Sequence, residues 1–281
     1  MHFVTQTLHK LRHEGLLSTV RAARDTLLPQ RSANHIEIRR MLEGRTGLEI
    51  GGPSAVFSRR GNVPVYPIAG RIDNCTYGTH TVWEGDVVAG NSFLFDKSKA
   101  PGTQFILEAS DLCSIDSSSY EFVLSSHCIE HLANPIKGLL EWKRVLQDEG
   151  VLILIAPNKA FTFDRKRPVT TLDHLIQDHA CATQEDDRTH LDEILALHDL
   201  GLDWAAGSRE QFQKRAQNNV ENRCLHHHVF DEPLTAALVD YAGLQIIATE
   251  SLRPCHILVV AKKSPSCHAL DNAPFLERRD P

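Results

Sequence analysis

The chain has 281 residues, of which 42% are hydrophobic and 23% charged, and carries a formal net charge of −6. That balance excludes the overall basic field that supports nonspecific nucleic-acid binding, and the absence of any apolar run near 18 residues excludes a stable membrane insertion. Seven cysteines without a C-x-x-C pair fit neither a disulfide framework nor a zinc knuckle and predict reduced thiols.

The opening, Met1-His2-Phe3-Val4 followed by His9, Lys10, Arg12, His13 and Glu14, lacks the apolar centre of a secretory signal, which predicts a cytoplasmic chain. Residues 1–43 read as a helical segment, with Leu8, Leu11, Leu16, Leu17, Val20, Leu27 and Leu28 as an apolar stripe. A second helix is expected over His35–Glu43, ended by Gly44. The next stretch, Thr46-Gly-Leu-Glu-Ile-Gly-Gly-Pro-Ser54, is a short apolar strand running into a glycine turn. Leu48 and Ile50 face a core, Glu49 sits at the strand's end, and Gly51-Gly52 let backbone approach a ligand. Ligands of open α/β sheets bind beyond the carboxyl ends of the strands, so Glu49 should face them. The turn lacks the Lys-Ser/Thr of a phosphate loop and the G-x-G-x-x-G of a dinucleotide site.

Val63–Ile68, with two prolines, reads as an irregular strand leading to Asp73, 24 residues after Glu49 and near the spacing of a ribose-holding carboxylate. Thr103–Leu107 reads as a third strand, followed by Glu108 and Asp111-Leu112. Tyr120–Leu124 is a buried strand ending in Ser125-Ser126-His127-Cys128-Ile129-Glu130-His131. A helix capped by Asn134-Pro135 and a wholly apolar strand, Val151–Ile155, follow. Strand, helix and strand at this spacing predict a right-handed parallel crossover and a doubly wound α/β sheet.

These ordered motifs resemble the class I S-adenosylmethionine-dependent methyltransferases, in the small-molecule, type 11-like branch, over roughly 44–158 and 231–263. The resemblance implies a seven-stranded, mostly parallel Rossmann-like sheet with a C-terminal antiparallel hairpin, and S-adenosylmethionine as cofactor. It implies that Glu49, Gly51, Gly52 and Pro53 form the cofactor loop, with Glu49 orienting the methionine end. Asp73 would hold the ribose, Asp111 with Leu112 the adenine edge, and Ser126-His127 would lie beside the sulfonium. The chain departs from the usual loop at Pro53 and Ala55, where glycines are customary.

Between Phe161 and Phe230 the pattern turns polar and histidine-rich, too long for a plain loop and placed over the carboxyl edge of the sheet. The expected organisation is a helical segment over 1–43, a cofactor core over 44–160, a substrate lid over 161–230, the rest of the core over 231–263 and a disordered tail over 264–281. The lid's donors and acceptors suit a sugar or other hydroxylated small molecule or glycan, with Asp164 and Arg167 holding its hydroxyls. His127 is the expected general base, with His174 and His227 as alternates. In His226-His227-His228 the outer two should share one side. A divalent ion at Glu130 and His131 is an alternative to metal-free transfer. A lipidic or aromatic acceptor, or a non-catalytic cofactor-binding module, are the competing functions; oligomeric state is not readable.

Overall fold

The computed structural model describes residues 29–265 and 269–277. The Leu8–Leu28 stripe lies outside them. Among the described residues ten strands occur in chain order: β1 (Thr46–Ile50), β2 (Arg71–Thr76), β3 (His80–Thr81), β4 (Gly85–Asp86), β5 (Gly90–Phe93), β6 (Gly102–Ile106), β7 (Tyr120–Ser126), β8 (Leu146–Pro157), β9 (Gln245–Leu252) and β10 (His256–Lys262). Eight of them form one sheet in the order β5-β6-β2-β1-β7-β8-β10-β9, while β3 and β4 pair apart. The five strands β6, β2, β1, β7 and β8 run parallel, and β10 and β9 close the sheet antiparallel. The predicted seven strands are therefore present, with β5 added antiparallel at the far edge.

The apolar run of β8 alternates between two cores. Leu152, Leu154 and Ala156 pack on one face with Trp142, while Val151, Ile153 and Ile155 pack on the other with Phe122. Burial on both faces is why this strand reads as continuous hydrophobicity. The helix Pro135–Val145 that links β7 to β8 opens as expected, with the Asn134 side chain accepting from Lys137 N. The helix His35–Leu42 delivers the chain to β1 through Gly44 at φ +76°.

Two expectations fail. Val63–Ile68 forms turns instead of a strand, because Pro64 and Pro67 remove two ladder donors. The tail is ordered at 271–276: Asn272 accepts from Ile246 N, donates to Leu244 O, and precedes the short helix Ala273–Leu276. Residues 161–230 form four helices, Leu172–Ala180, Leu191–Leu197, Arg209–Gln217 and Asn219–Asn222. They enclose a small core of Ile194, Phe212, Ala216 and Leu225, and Leu175 ties the first of them to the main core. No helix among the described residues is long and apolar enough to cross a membrane.

Candidate active site

A cavity of about 1100 Å³ opens beyond the carboxyl ends of β1, β2, β6 and β7. This is the switch point of the sheet, where strands on either side of β1 and β7 are reached in opposite directions. Gly51, Pro53 and Ser54 line it after β1, Thr76-Tyr77 after β2, Glu108-Ala109 after β6, and Ser126-His127-Cys128 after β7. Gly51 turns the chain off β1 at φ +75°, a backbone conformation that favours glycine. Asn74 clamps the loop from below: its side chain accepts from Gly52 N and donates to Gly52 O.

The loop is built differently from expectation in two respects. Glu49 is fully buried beneath it, with its carboxyl bonded to Tyr66 Oη and to Ser54 N, and does not line the cavity. Burial pushes the Glu49 carboxyl up to about 8 despite those two donors. Gly52 is likewise turned inward, since a Cβ there would lie 2.2 Å from Glu49 Cδ. Its lack of a side chain makes room for Glu49 and not for a ligand.

Other expected residues also fall elsewhere. Asp73 lies inside β2 opposite Leu48, and its carboxylate accepts from Thr103 N, Arg71 Nε and Tyr120 Oη, so it is used up in the fold. Because β6 ends at Ile106, the chain crosses the cavity at Glu108-Ala109 and has turned away by Asp111-Leu112. Leu112 is buried in the core and Asp111 lines a separate surface depression beside Lys137 and Arg144. Of the two acids, Glu108 lines the cavity and Asp111 does not. Asp164 and Arg167 are both buried and bonded to each other at 2.9 Å; Arg167 also reaches Glu193 and the carbonyls of His226 and His227. Neither lines the cavity.

The histidine triplet bends at 227–228, so its members point to three places. His226 lines the cavity, His227 meets the Asn219 side chain at 3.1 Å, and His228 is buried beside His174 and His190. His226 and His228 thus do not share a side, and the expected alternates His174 and His227 do not reach the cavity.

The cavity floor gathers three imidazoles around one carboxylate. Glu130 is fully buried, with neither oxygen hydrogen-bonded. His127 Nδ1 lies 3.4 Å from its Oε1, His226 Nε2 3.9 Å and His131 Nε2 4.0 Å. Burial raises the Glu130 carboxyl, but the surrounding imidazoles more than offset this and hold it below the usual range. The same burial, reinforced by His226, lowers His131 to about 4. His226 is held from behind by Asp164, whose carboxylate meets its Nδ1 at 2.5 Å. His127 spends its Nε2 on His256 Nδ1 at 2.7 Å. Ligand atoms of Glu130, His131 and His226 all lie within 4.8 Å of one another, so the floor could also hold a divalent ion.

The mouth is aromatic. Trp83 and Phe161 line it and are 58% and 66% exposed, with Trp83 set edge-on to His131 at 5.3 Å. Both cavity arginines are already paired, Arg215 with Asp203 and Arg223 with Glu108 and Glu185. The sequence marked Glu108 as an acid at a strand's end, but nothing in it pointed to Trp83, to Glu84 beside it, whose carboxyl burial raises to about 7, or to the His127–His256 contact.

Residues 84–154 match the family model described as a methyltransferase domain, a span that starts after the glycine loop and ends within β8. Among solved structures, the chain is similar to a SAM-dependent methyltransferase from Methanosarcina mazei (14% identity, 81% of this chain and 97% of that one, TM-score 0.44). It is also similar to an S-adenosylmethionine-dependent methyltransferase from Mesorhizobium loti (11%, 82% and 98%, 0.44) and to one from Aquifex aeolicus (12%, 81% and 87%, 0.38). No functionally curated protein matches the sequence. The methyltransferase-domain match over 84–154 therefore lies on a doubly wound sheet whose switch point opens into this cavity.

Proposed function

We propose that the enzyme methylates a hydroxyl of a neutral, polar, ring-bearing acceptor, with a sugar as the class that fits best. The observation that carries this reading is the floor itself: a cavity-lining imidazole, His226, with Nδ1 fixed by Asp164 and Nε2 3.9 Å from the Glu130 carboxylate, whose oxygens make no hydrogen bond. A cavity of about 1100 Å³ exceeds the ~300–1,000 Å³ usual for one ligand, which suits a cofactor and an acceptor together.

When bound, S-adenosylmethionine supplies an electrophilic methyl group on a sulfonium that leaves as a neutral thioether. On the cofactor side, the backbone of Gly51–Ser54 and the Glu108-Ala109 turn form the wall. Glu108 would accept from the adenine amino group. On the acceptor side, Trp83 and Phe161 offer faces for the apolar side of a sugar ring. With the cofactor bound, the acceptor hydroxyl would give its proton to His226 Nε2. Asp164 fixes the tautomer that leaves Nε2 free, and Arg167 holds Asp164 in place. His226 replaces His127 as base because Nε2 of His127 is committed to His256. The pairing of Arg215 and Arg223 leaves no uncompensated cavity arginine for an anionic acceptor, which favours a neutral one. The insertion over 161–230 contributes Phe161, Arg215, Arg223 and His226 to the walls, in keeping with a substrate lid.

The second reading places a divalent ion on Glu130, His131 and His226, favoured by the two Glu130 oxygens that make no hydrogen bond. A screen of sugars, aromatic alcohols and lipids with methyl-labelled donor tests the first reading. Label on a sugar oxygen is expected; transfer confined to aromatic or lipidic acceptors would overturn it. Loss of rate on chelation, with Glu130→Gln losing the metal response, would move the assignment to the second.

A further inference from the structure

A second histidine cluster lies away from the cavity, within the insertion. His174 and Asp178 stand one turn apart on the helix Leu172–Ala180, His190 immediately precedes the helix Leu191–Leu197, and His228 follows the bend of the triplet. Four ligand atoms, one from each residue, all lie within 4.8 Å of one another. His174 Nε2 is 2.9 Å from His190 Nε2 and 3.2 Å from Asp178 Oδ2, and His228 Nε2 is 3.8 Å from the same oxygen. The three rings face one another edge-on, with centroids 4.9, 5.6 and 5.9 Å apart.

An N–H···N hydrogen bond between His174 and His190 accounts for one of these approaches only. It leaves Asp178 Oδ2 buried without a hydrogen-bond partner, while Oδ1 of the same carboxylate accepts from the Thr183 hydroxyl. A buried carboxylate oxygen without a partner is costly, and three imidazoles around it are the donor set of a metal ion. Tetrahedral zinc with bonds of about 2.0–2.1 Å places its ligand atoms about 3.3 Å apart; three of the six separations here are 2.9, 3.2 and 3.8 Å, and all lie within 4.8 Å.

We propose that His174, Asp178, His190 and His228 bind a structural zinc ion that ties two helical segments of the insertion to its returning end at 226–230. Imidazole and carboxylate donors in a four-membered set suit zinc, and four protein ligands leave no position open for catalysis. Thr183 supplies the outer hydrogen bond that orients the Asp178 carboxylate. The mechanical consequence follows from where the ligands sit. His228 packs against the β7–helix connection, its backbone N 3.5 Å from Glu130 O, so the ion ties two helical segments of the insertion to a residue that rests on the loop carrying Glu130. It thereby fixes the segment from which His226 reaches the cavity.

The test is metal content of the full chain purified without a polyhistidine tag. About one zinc per chain is expected by elemental mass spectrometry, together with a lowered melting temperature on chelation that added Zn²⁺ restores. The double variant Asp178→Asn/His190→Ala should lose most of the bound zinc and the chelation response, whereas Glu130→Gln should keep both. Should the double variant fail to fold, His174→Cys in cobalt-substituted protein decides the location, because a thiolate ligand adds a near-ultraviolet charge-transfer band to the tetrahedral cobalt spectrum. No uptake from excess Zn²⁺, a cobalt spectrum that His174→Cys does not alter, or loss of the ion in Glu130→Gln alone would overturn the proposal.

Discussion

The hydroxyl of Tyr66 stands 2.9 Å from both carboxyl oxygens of the fully buried Glu49, and Ser54 N reaches Glu49 Oε1 at 3.1 Å. The acid at the end of β1 is thus a bracket for the glycine loop, holding its far end to the turn at 65–68. Together with Asn74, which clamps Gly52 on both sides of its peptide, it fixes the backbone that forms the cavity wall.

That relationship makes stability depend on pH. The folded chain keeps the Glu49 proton up to about pH 8, while the unfolded chain releases it near 4.5. Between those values the native state binds more protons, so this contribution is full below pH 4.5 and is lost as pH rises through 8. The loss is on the order of a few kcal/mol. Glu49→Gln should flatten the fall in melting temperature between pH 5 and 8 while keeping an acceptor for Ser54 N. An unchanged slope in thermal melts across that range would assign the pH dependence elsewhere.

For the adenine edge, the choice lies between two acids three residues apart. Glu108→Gln should weaken binding of S-adenosylmethionine by about 1–3 kcal/mol, the usual cost of a lost charged partner, and Asp111→Asn should leave it within a factor of two. Titration calorimetry on both variants separates them. The reverse pattern would restore Asp111 to the site.

How much of this was readable in the sequence depends on what kind of constraint acts. The sheet was legible because both faces of Val151–Ile155 are buried and because Asn134-Pro135 caps the crossover helix through its own side chain. Of the residues expected at the site, those that line the cavity, Gly51, Pro53, Ser126 and His127, are the ones whose position a strand's end fixes. Asp73 has the right spacing, but spacing cannot show that Thr103 N and Tyr120 Oη consume its carboxylate. The triplet reads as alternating on an extended chain, and a bend at 227–228 undoes the alternation. Asp164 and Arg167 have the composition of sugar binders, yet 62 residues of sequence separate Asp164 from the imidazole it holds.

Arg167 is 1% exposed and holds Asp164, Glu193 and two carbonyls of the triplet. Arg167→Met removes the charge and leaves Asp164 buried with one cation fewer, so destabilisation of about 3–5 kcal/mol is expected in urea unfolding. A change below about 1 kcal/mol would show that the network reorganises freely.

The acceptor side is tested at Trp83. Because it is more than half exposed, Trp83→Ala should unfold at nearly the wild-type denaturant concentration. Loss of its ring face should raise KM for a sugar acceptor at least fivefold and leave the Kd for S-adenosylmethionine unchanged. Equal losses for both ligands would mean that Trp83 shapes the whole cavity and not the acceptor half.

The base is tested by separating its two supports. A positioned base contributes about 10²–10⁴-fold, so His226→Gln should lower kcat at least a hundredfold with cofactor affinity kept within a factor of a few. Asp164→Asn keeps the size of the orienting group and removes its charge. It should cost less than His226→Gln but more than tenfold, because the amide can still contact Nδ1 yet no longer enforces the tautomer that frees Nε2. His127→Gln breaks the contact with His256 without touching the Asp164–His226 pair, and should lower kcat less than either. Single-turnover rates with labelled donor order the three variants. If His127→Gln is the most damaged and His226→Gln turns over normally, the proton leaves through His127 and His256, and the Asp164–His226 pair serves only to hold the floor together.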